Sequence, residues 1–437
     1  MTIKPRPGPK GPRAIFQEVG EAPPPPVQKG MIDTRPRGAR KAIRAWLALI
    51  VVLAVALSLW GGWLRLAGQG LGAYGFDPGS VVIPPRSEAA WQAEYLRFLA
   101  WNNEAMALDA PEGDPPAPGA VATDSAPVAP DAPVGAAATA PAGAEPTAAL
   151  APEGLDPAGP AAAADMIVAP LTPAEFRAGW LADWAHRAGG MGLGAVWALG
   201  LALFAATGRI PPGWGPRLAI PGALIAAQAA VGIALSGPLA IALHLLLALA
   251  LVGAGLWHVL GLSRTEAALL QARRSAEPRL AAAATGIMHA TLLTAALGGL
   301  MAGLDGGRGF TDWPLMGGQV IPEGLLAETP VWRNLIDNPA LVQFLHRLAA
   351  YAVVALAILG WSRARASAQG ATRGAFALVA VAALVQAALG VLTVTQATPV
   401  ALGLAHQAAA FAIFAAIIRA RHRARFPIVQ SVRGTIR

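Results

Sequence analysis

The sequence contains no cysteine, which excludes disulfides, thiolate metal centres and thiol-based redox chemistry. Charge is also scarce. Only 13% of residues are Asp, Glu, Lys or Arg, about half the roughly 25% usual in a soluble domain. Basic residues outnumber acidic ones, 33 to 25, for a net charge of +8. No aromatic-basic module accompanies that excess, so a nucleic-acid partner is not expected. What the chain has in plenty is apolar sequence, with 55% hydrophobic residues and a mean hydropathy of +0.50.

Apolar runs long enough to cross about 30 Å of hydrocarbon recur near 44–64, 187–207, 218–236, 238–262, 280–302, 340–361, 374–396 and 399–418. Their Ala, Gly and Leu content suits closely packed helices in lipid, and barrel strands would give only weak alternating segments. The expected class is all-α: a polytopic membrane protein of eight transmembrane helices. The first run is long and is followed by Arg65 with no small-residue cleavage site, so it is read as a span and not a cleaved signal. Of the 33 Lys and Arg, 25 lie in the N-terminal arm, the 208–217, 263–279 and 362–373 loops and the tail. With eight spans these all fall on one side, and the positive-inside rule makes that side, with both termini, cytoplasmic. In a bacterium the membrane would be the inner one.

Residues 1–40, rich in Pro, Gly and basic residues, read as a disordered arm, and 107–165, dominated by Ala and Pro, as a disordered insertion in the first outer loop. Before the insertion, Trp91, Tyr95 and Phe98 share one face of a short helix, which either lies on the outer membrane surface or packs on an outer loop. The rest divides by an internal repeat. Asp183-Trp184-Ala185-His186-Arg187 parallels Gln343-Phe344-Leu345-His346-Arg347. Gln228 to Gly232 parallels Gln386 to Gly390, each followed by a histidine, His244 or His406. Upstream, Gly61 to Pro84 and Gly298 to Pro322 share a glycine-rich exit from the membrane. Two similar four-helix units are expected, over 41–262 and 280–420, joined by a linker at 263–279 and followed by a basic tail at 421–437. An even number of spans in each gives both the same orientation. Thr172-Pro173-Ala174-Glu175 and Asn338-Pro339 have the form of helix N-terminal caps.

Four of the seven histidines share one depth near the outer ends of their spans: His186, His244, His346 and His406. Neutral imidazole is a common axial ligand of haem, and facing helices that each donate one make a bundle-core site. A single intramembrane histidine reads most simply as a hydrogen-bonded core residue. Four, paired by a repeat, read as two haem sites. His258, His289 and His422 lack that pairing. Arg187, Arg347 and Arg65 are placed to meet haem propionates or to reach the interface as snorkelling charges. The units differ one turn before the first histidine, where Asp183 faces Gln343 in the repeat. A carboxylate can stabilise positive charge or move a proton and an amide cannot take a charge. The expectation is a reactive haem in the first unit and an electron-relaying haem in the second. Asp183 merely paired with Arg187 is the bland alternative.

These residues resemble the haem A synthase family. The resemblance rests on Ala302-Gly303-Leu304-Asp305-Gly306-Gly307, Asp312-Trp313-Pro314-Leu315-Met316, Gln343 to Arg347 and Ala350-Tyr351 in the second unit. In the first it rests on Gly61 to Leu66, Gly70-Leu71, Pro84-Pro85, Trp91, Glu175-Phe176 and Asp183 to Arg187. It implies eight helices in two units and oxidation of a haem O methyl group to the formyl group of haem A by successive hydroxylations. His186 and His244 would hold the substrate haem, and His346 and His406 a b-type cofactor haem. Implied partners are haem O synthase, a terminal oxidase under assembly, and an electron acceptor or donor. The chain departs from the family in having Asp183 where Glu is usual, Leu64-Arg65-Leu66-Ala67 in place of a Thr-Arg-Leu-Thr run, and Asp312 in place of Thr. The rival readings are a di-haem b-type cytochrome that only relays electrons, a haem carrier and, last, a transporter.

Overall fold

The computed structural model describes residues 38–68, 83–108 and 171–428. The expected arm up to residue 37, nearly all of the 107–165 insertion, Gly70-Leu71 and the last residues of the tail lie outside it. The described residues form ten α-helices: α1 (Gly38–Leu66), α2 (Glu88–Leu108), α3 (Pro173–Ala206), α4 (Gly215–Ala234), α5 (Gly237–Leu262), α6 (Glu266–Arg273), α7 (Pro278–Gly303), α8 (Pro339–Ala364), α9 (Gly370–Thr395) and α10 (Val400–Arg425). All but α2 and α6 are long and apolar enough to cross a membrane. The protein is a multi-pass, all-helical membrane protein, and every expected span finds its helix.

Local chemistry sets the helix starts. At α3 the Thr172 side chain accepts from the Glu175 amide while the Glu175 carboxylate accepts from the Thr172 amide, a reciprocal capping box with Pro173 in the first turn. At α8 the Asn338 side chain accepts from the Leu341 amide. Because its cap lies so far upstream, α3 begins well before the apolar run at 187 and spans 34 residues, roughly 50 Å at 1.5 Å per residue. That exceeds the hydrocarbon thickness, so its first turns stand outside the membrane. They receive α2. Trp91 and Phe98 are buried against Phe176 and Trp180, with Trp91 and Trp180 edge to face at 5.2 Å. The Tyr95 hydroxyl donates to the Leu171 carbonyl at 2.7 Å. Of the two readings for this aromatic face, packing is the one seen, against the N-terminal extension of α3.

Each span packs on two neighbours in a closed circuit. α1, α3, α4 and α5 form one, and α7, α8, α9 and α10 the other. α5 meets α7 and α10, and α1 meets α10, where the two circuits join. Absent side chains bring the helices close. A Cβ on Gly299 of α7 would fall 2.6 Å from the Ala242 Cα of α5, and one on Gly303 would fall 2.3 Å from the Pro238 Cα. The Arg65 guanidinium crosses the same junction and donates to the carbonyls of Ala302 and Gly303 at the α7 C-terminus, where a cation is favoured.

Candidate functional site

His186 is carried by α3 and His244 by α5, diagonal positions in the first circuit. His346 on α8 and His406 on α10 are diagonal in the second. Both pairs meet across their bundle. Ring centroids are 6.3 Å apart for His186 and His244 and 6.5 Å for His346 and His406. Two imidazoles that ligate one iron from opposite sides, each nitrogen roughly 2 Å from the metal, hold their ring centroids about 6 Å apart. Both pairs have that separation.

In each circuit the two helices that carry none of the four paired histidines contribute a glycine behind a ring. A Cβ on Gly61 of α1 would lie 3.1 Å from His186 Cε1, and one on Gly298 of α7 3.0 Å from His346 Cε1. A Cβ on Gly390 of α9 would lie 3.1 Å from His406 Cε1, while Gly232 of α4 leaves 3.9 Å to His244. The sequence repeat thus marks a structural device: each imidazole lies in the space of a missing side chain. The repeated glycines were visible in the sequence, but nothing in a linear reading paired them with the histidines.

The pairs differ in how the rings are held. His346 Nδ1 donates to the Thr294 carbonyl at 2.9 Å. A carbonyl can only accept, so the proton is on Nδ1 and Nε2 keeps its lone pair for a metal. Thr294 precedes Gly298 by one helical turn, and the absent side chain opens that carbonyl to the ring. The Gln386 amide nitrogen lies 3.3 Å from both His406 ring nitrogens and donates to the His406 carbonyl at 3.1 Å. In the first pair, His186 Nδ1 is buried without a hydrogen-bond partner among the described residues. Trp184 Nε1 and Arg187 Nε on the same stretch of α3, and Gln228 Oε1 on α4, are buried and unpartnered in the same way. Beside the second pair Gln343 Oε1 and Gln386 Oε1 are likewise buried without a partner among the described residues. Unsatisfied buried polar atoms are costly, and both groups beside an imidazole pair fit a polar, iron-bearing guest such as a haem with its propionates.

The three arginines are placed differently from one another. Arg347 donates to the carbonyls of Asp312, Leu315 and Phe310, at 3.0, 2.8 and 3.0 Å, and clamps the long loop between α7 and α8. Arg65 is turned to the α7 C-terminus, as above. Arg187 alone of the three has a buried nitrogen without an acceptor. Asp183 is half-buried on α3, one turn before His186. Its counterpart Gln343 is buried and donates to the Phe310 carbonyl at 3.0 Å, beside Arg347. These carbonyl acceptors escaped the sequence reading because a backbone carbonyl has no residue signature. Of the other histidines, His289 is exposed on α7, and His258 and His422 are buried against Trp214 and Trp257 at the end of the bundle away from the four.

A family model described as cytochrome oxidase assembly protein matches residues 159–418. Among similar proteins, the haem A synthase of Paracoccus denitrificans is 39% identical, over 97% of this chain and 99% of its own length. Those of Ruegeria pomeroyi and Roseobacter denitrificans are 36% and 33% identical over the same shares. The chain belongs to the haem A synthase family. Both histidine pairs lie in or next to the matched region's helices: α3, α5, α8 and α10 fall inside it up to residue 418.

Proposed function

We propose that the chain is a membrane oxidoreductase that converts the methyl substituent of haem O to the formyl group of haem A for terminal oxidase assembly. The observation that carries the assignment is the asymmetry between two otherwise matched histidine pairs. The first pair has the carboxylate of Asp183 one turn away and a His186 whose Nδ1 has no hydrogen-bond partner among the described residues. The second has an amide there and a His346 fixed by the Thr294 carbonyl. A substrate must enter and leave, and a resident cofactor must not. On that ground His186 and His244 receive haem O, and His346 and His406 hold a b-type haem, within units spanning 41–262 and 280–420.

When bound, the b-type haem supplies one-electron redox chemistry. The chain's own residues do the rest. The imidazoles would hold the macrocycle between the helices of the circuit, and Arg187 Nε, buried without an acceptor among the described residues, would meet a propionate. Asp183 places negative charge beside the substrate, where a positive charge developing at the methyl carbon would be stabilised and a departing proton accepted. Were His186 and His244 both to hold the substrate haem, its iron would have no free position for dioxygen, and the formyl oxygen would then come from water. Methyl plus water gives formyl plus four protons and four electrons, which leave for an acceptor outside this chain. In isotopically labelled water the formyl oxygen should carry the label before any exchange with solvent; a formyl oxygen derived wholly from dioxygen contradicts this route.

The distribution of basic residues supports an inner-membrane protein with both termini cytoplasmic and the histidines toward the outer face. Haem O synthase as donor and the oxidase as recipient are the implied partners. Asp183→Ala should lower haem A formation by about 10²–10³-fold, the scale of a lost electrostatic group in an active site, with haem B content unchanged. Asp183→Glu should retain activity. The second reading, a di-haem cytochrome that relays electrons, gains from the equal 6.3 and 6.5 Å spacings and would show no dependence on Asp183.

A further inference from the structure

At the end of the bundle away from the four histidines, α6, α7 and α10 border an open cleft of about 450 Å³. Its walls carry the guanidinium groups of Arg273, Arg421 and Arg425, the hydroxyl-bearing Thr285, and the small apolar faces of Ala281 and Ala282. Arg421 is held in place on two sides: Nε donates to Thr285 Oγ1 at 2.9 Å, and the guanidinium lies over the Trp257 ring at 4.8 Å from its centroid. Its two terminal nitrogens have no acceptor among the described residues. The lining holds three arginines and no acid; Glu277, the N-cap of α7 between the lining residues Ala276 and Pro278, has one carboxylate oxygen buried without a hydrogen-bond partner among the described residues.

The first unit shows what a closed version of this corner looks like. Its counterpart helices are α1 and α5, and there the cation is consumed by protein. Arg40 donates to the Arg264 carbonyl at 2.8 Å and pairs with Glu266 at 3.6 Å. Arg264 in turn donates to the carbonyls of Phe426, Pro427 and Ala268. The second unit leaves its arginines without such acceptors and provides a cavity between them. A fixed planar fork with two free N–H groups matches two oxygens of a phosphate. The position also matters. Thr285 is two helical turns inside α7 and Arg425 ends α10, so the cleft runs from the headgroup level into the start of the apolar span.

We propose that this cleft is the seat of an anionic phospholipid, its phosphate on Arg421 and Arg425 and its chains along the Ala281 and Ala282 face of α7. Such basic pockets between spans, on the side rich in Lys and Arg, are where anionic headgroups are recognised.

The test uses the full-length protein in nanodiscs of phosphatidylcholine to which phosphatidylglycerol is added, with retained lipid counted by native mass spectrometry after a high-salt wash. The wash screens diffuse surface attraction. Wild type should retain one phosphatidylglycerol in preference to phosphatidylcholine. Arg421→Gln with Arg425→Gln should lose that preference, by about fivefold per arginine. Arg363→Gln with Arg373→Gln, in the last turn of α8 and the first turn of α9 on the same face, should keep it. Equal retention by wild type and the cleft variant overturns the proposal. So does displacement of the lipid by millimolar inorganic phosphate, which would mark a site for a soluble anion. A second measurement avoids the loss of arginines altogether. Because the chain lacks cysteine, Ala282→Cys gives a single reactive thiol in the cleft. Phosphatidylglycerol should slow its labelling by a maleimide and phosphatidylcholine should not; equal rates in both lipids contradict the assignment.

Discussion

At the scale of single residues, the glycines behind the imidazoles give a graded test. Gly298→Ala and Gly390→Ala put a methyl group 3.0 and 3.1 Å from a histidine carbon, whereas Gly232→Ala leaves an ordinary 3.9 Å contact. The first two should lower bound haem B severalfold, read from the pyridine haemochrome spectrum, and the third should leave haem content near wild type. Gly61→Ala, at 3.1 Å from His186, should weaken retention of the substrate haem and leave haem B alone. The histidines, Asp183 and Gln343 could all be picked out in the sequence because imidazoles and a carboxylate are rare in apolar spans and recur with the repeat. Their glycine partners could not be paired with them, since each lies on a different helix and the pairing is made only by the bundle.

At the scale of elements, the loop between α7 and α8 is the part least legible in the sequence. It has no periodicity, and its order comes from side chains that meet backbone. Arg347 and Gln343 share the Phe310 carbonyl, and the Asp312 carboxylate accepts from the amides of Gly317 and Gly318 at 2.9 and 2.8 Å. Burial alone would raise the Asp312 carboxyl, but those amides and the charge of Arg347 outweigh it and hold it below its ordinary value. A carboxyl depressed in the folded state stabilises fully above its unfolded value of about 3.9. That contribution is lost as pH falls through the lower folded value. The loop should therefore resist proteolysis equally at pH 7 and pH 5 and loosen only in stronger acid. Asp312→Ala should be cut roughly fivefold faster at pH 7, the factor for about 1 kcal/mol from one net hydrogen bond, and should no longer respond to acid in that range. Unchanged cutting would show that the arginine alone orders the loop. The helices themselves were legible because an apolar run of span length admits one structure in lipid. The outward extension of α3 was legible only through its cap, since its first turns are not apolar.

At the scale of the whole molecule, the two circuits meet through small residues and one crossing arginine. Gly299→Val would drive a side chain into the α5 backbone, and neither backbone can give way. Overpacking of this kind costs about 1–3 kcal/mol, so the thermal midpoint in detergent should fall. Gly286→Val, on the same helix with nothing within 4 Å of its Cβ, should leave it unchanged. The sequence repeat pointed to two matched pairs of histidines but not to the contact between the circuits that carry them: Arg65, read as a propionate partner or a snorkelling charge, donates to the end of α7. The central claim is a division of labour, with substrate haem at His186 and His244 and cofactor haem at His346 and His406. It is tested most directly by chromatography of haems extracted from wild type, His186→Ala and His346→Ala, each purified from cells supplied with haem O. The account predicts haem B with haem O and haem A in the wild type, haem B alone in His186→Ala, and haem O without haem B or haem A in His346→Ala. Haem B lost equally from both variants, with haem O never bound or converted, would contradict it.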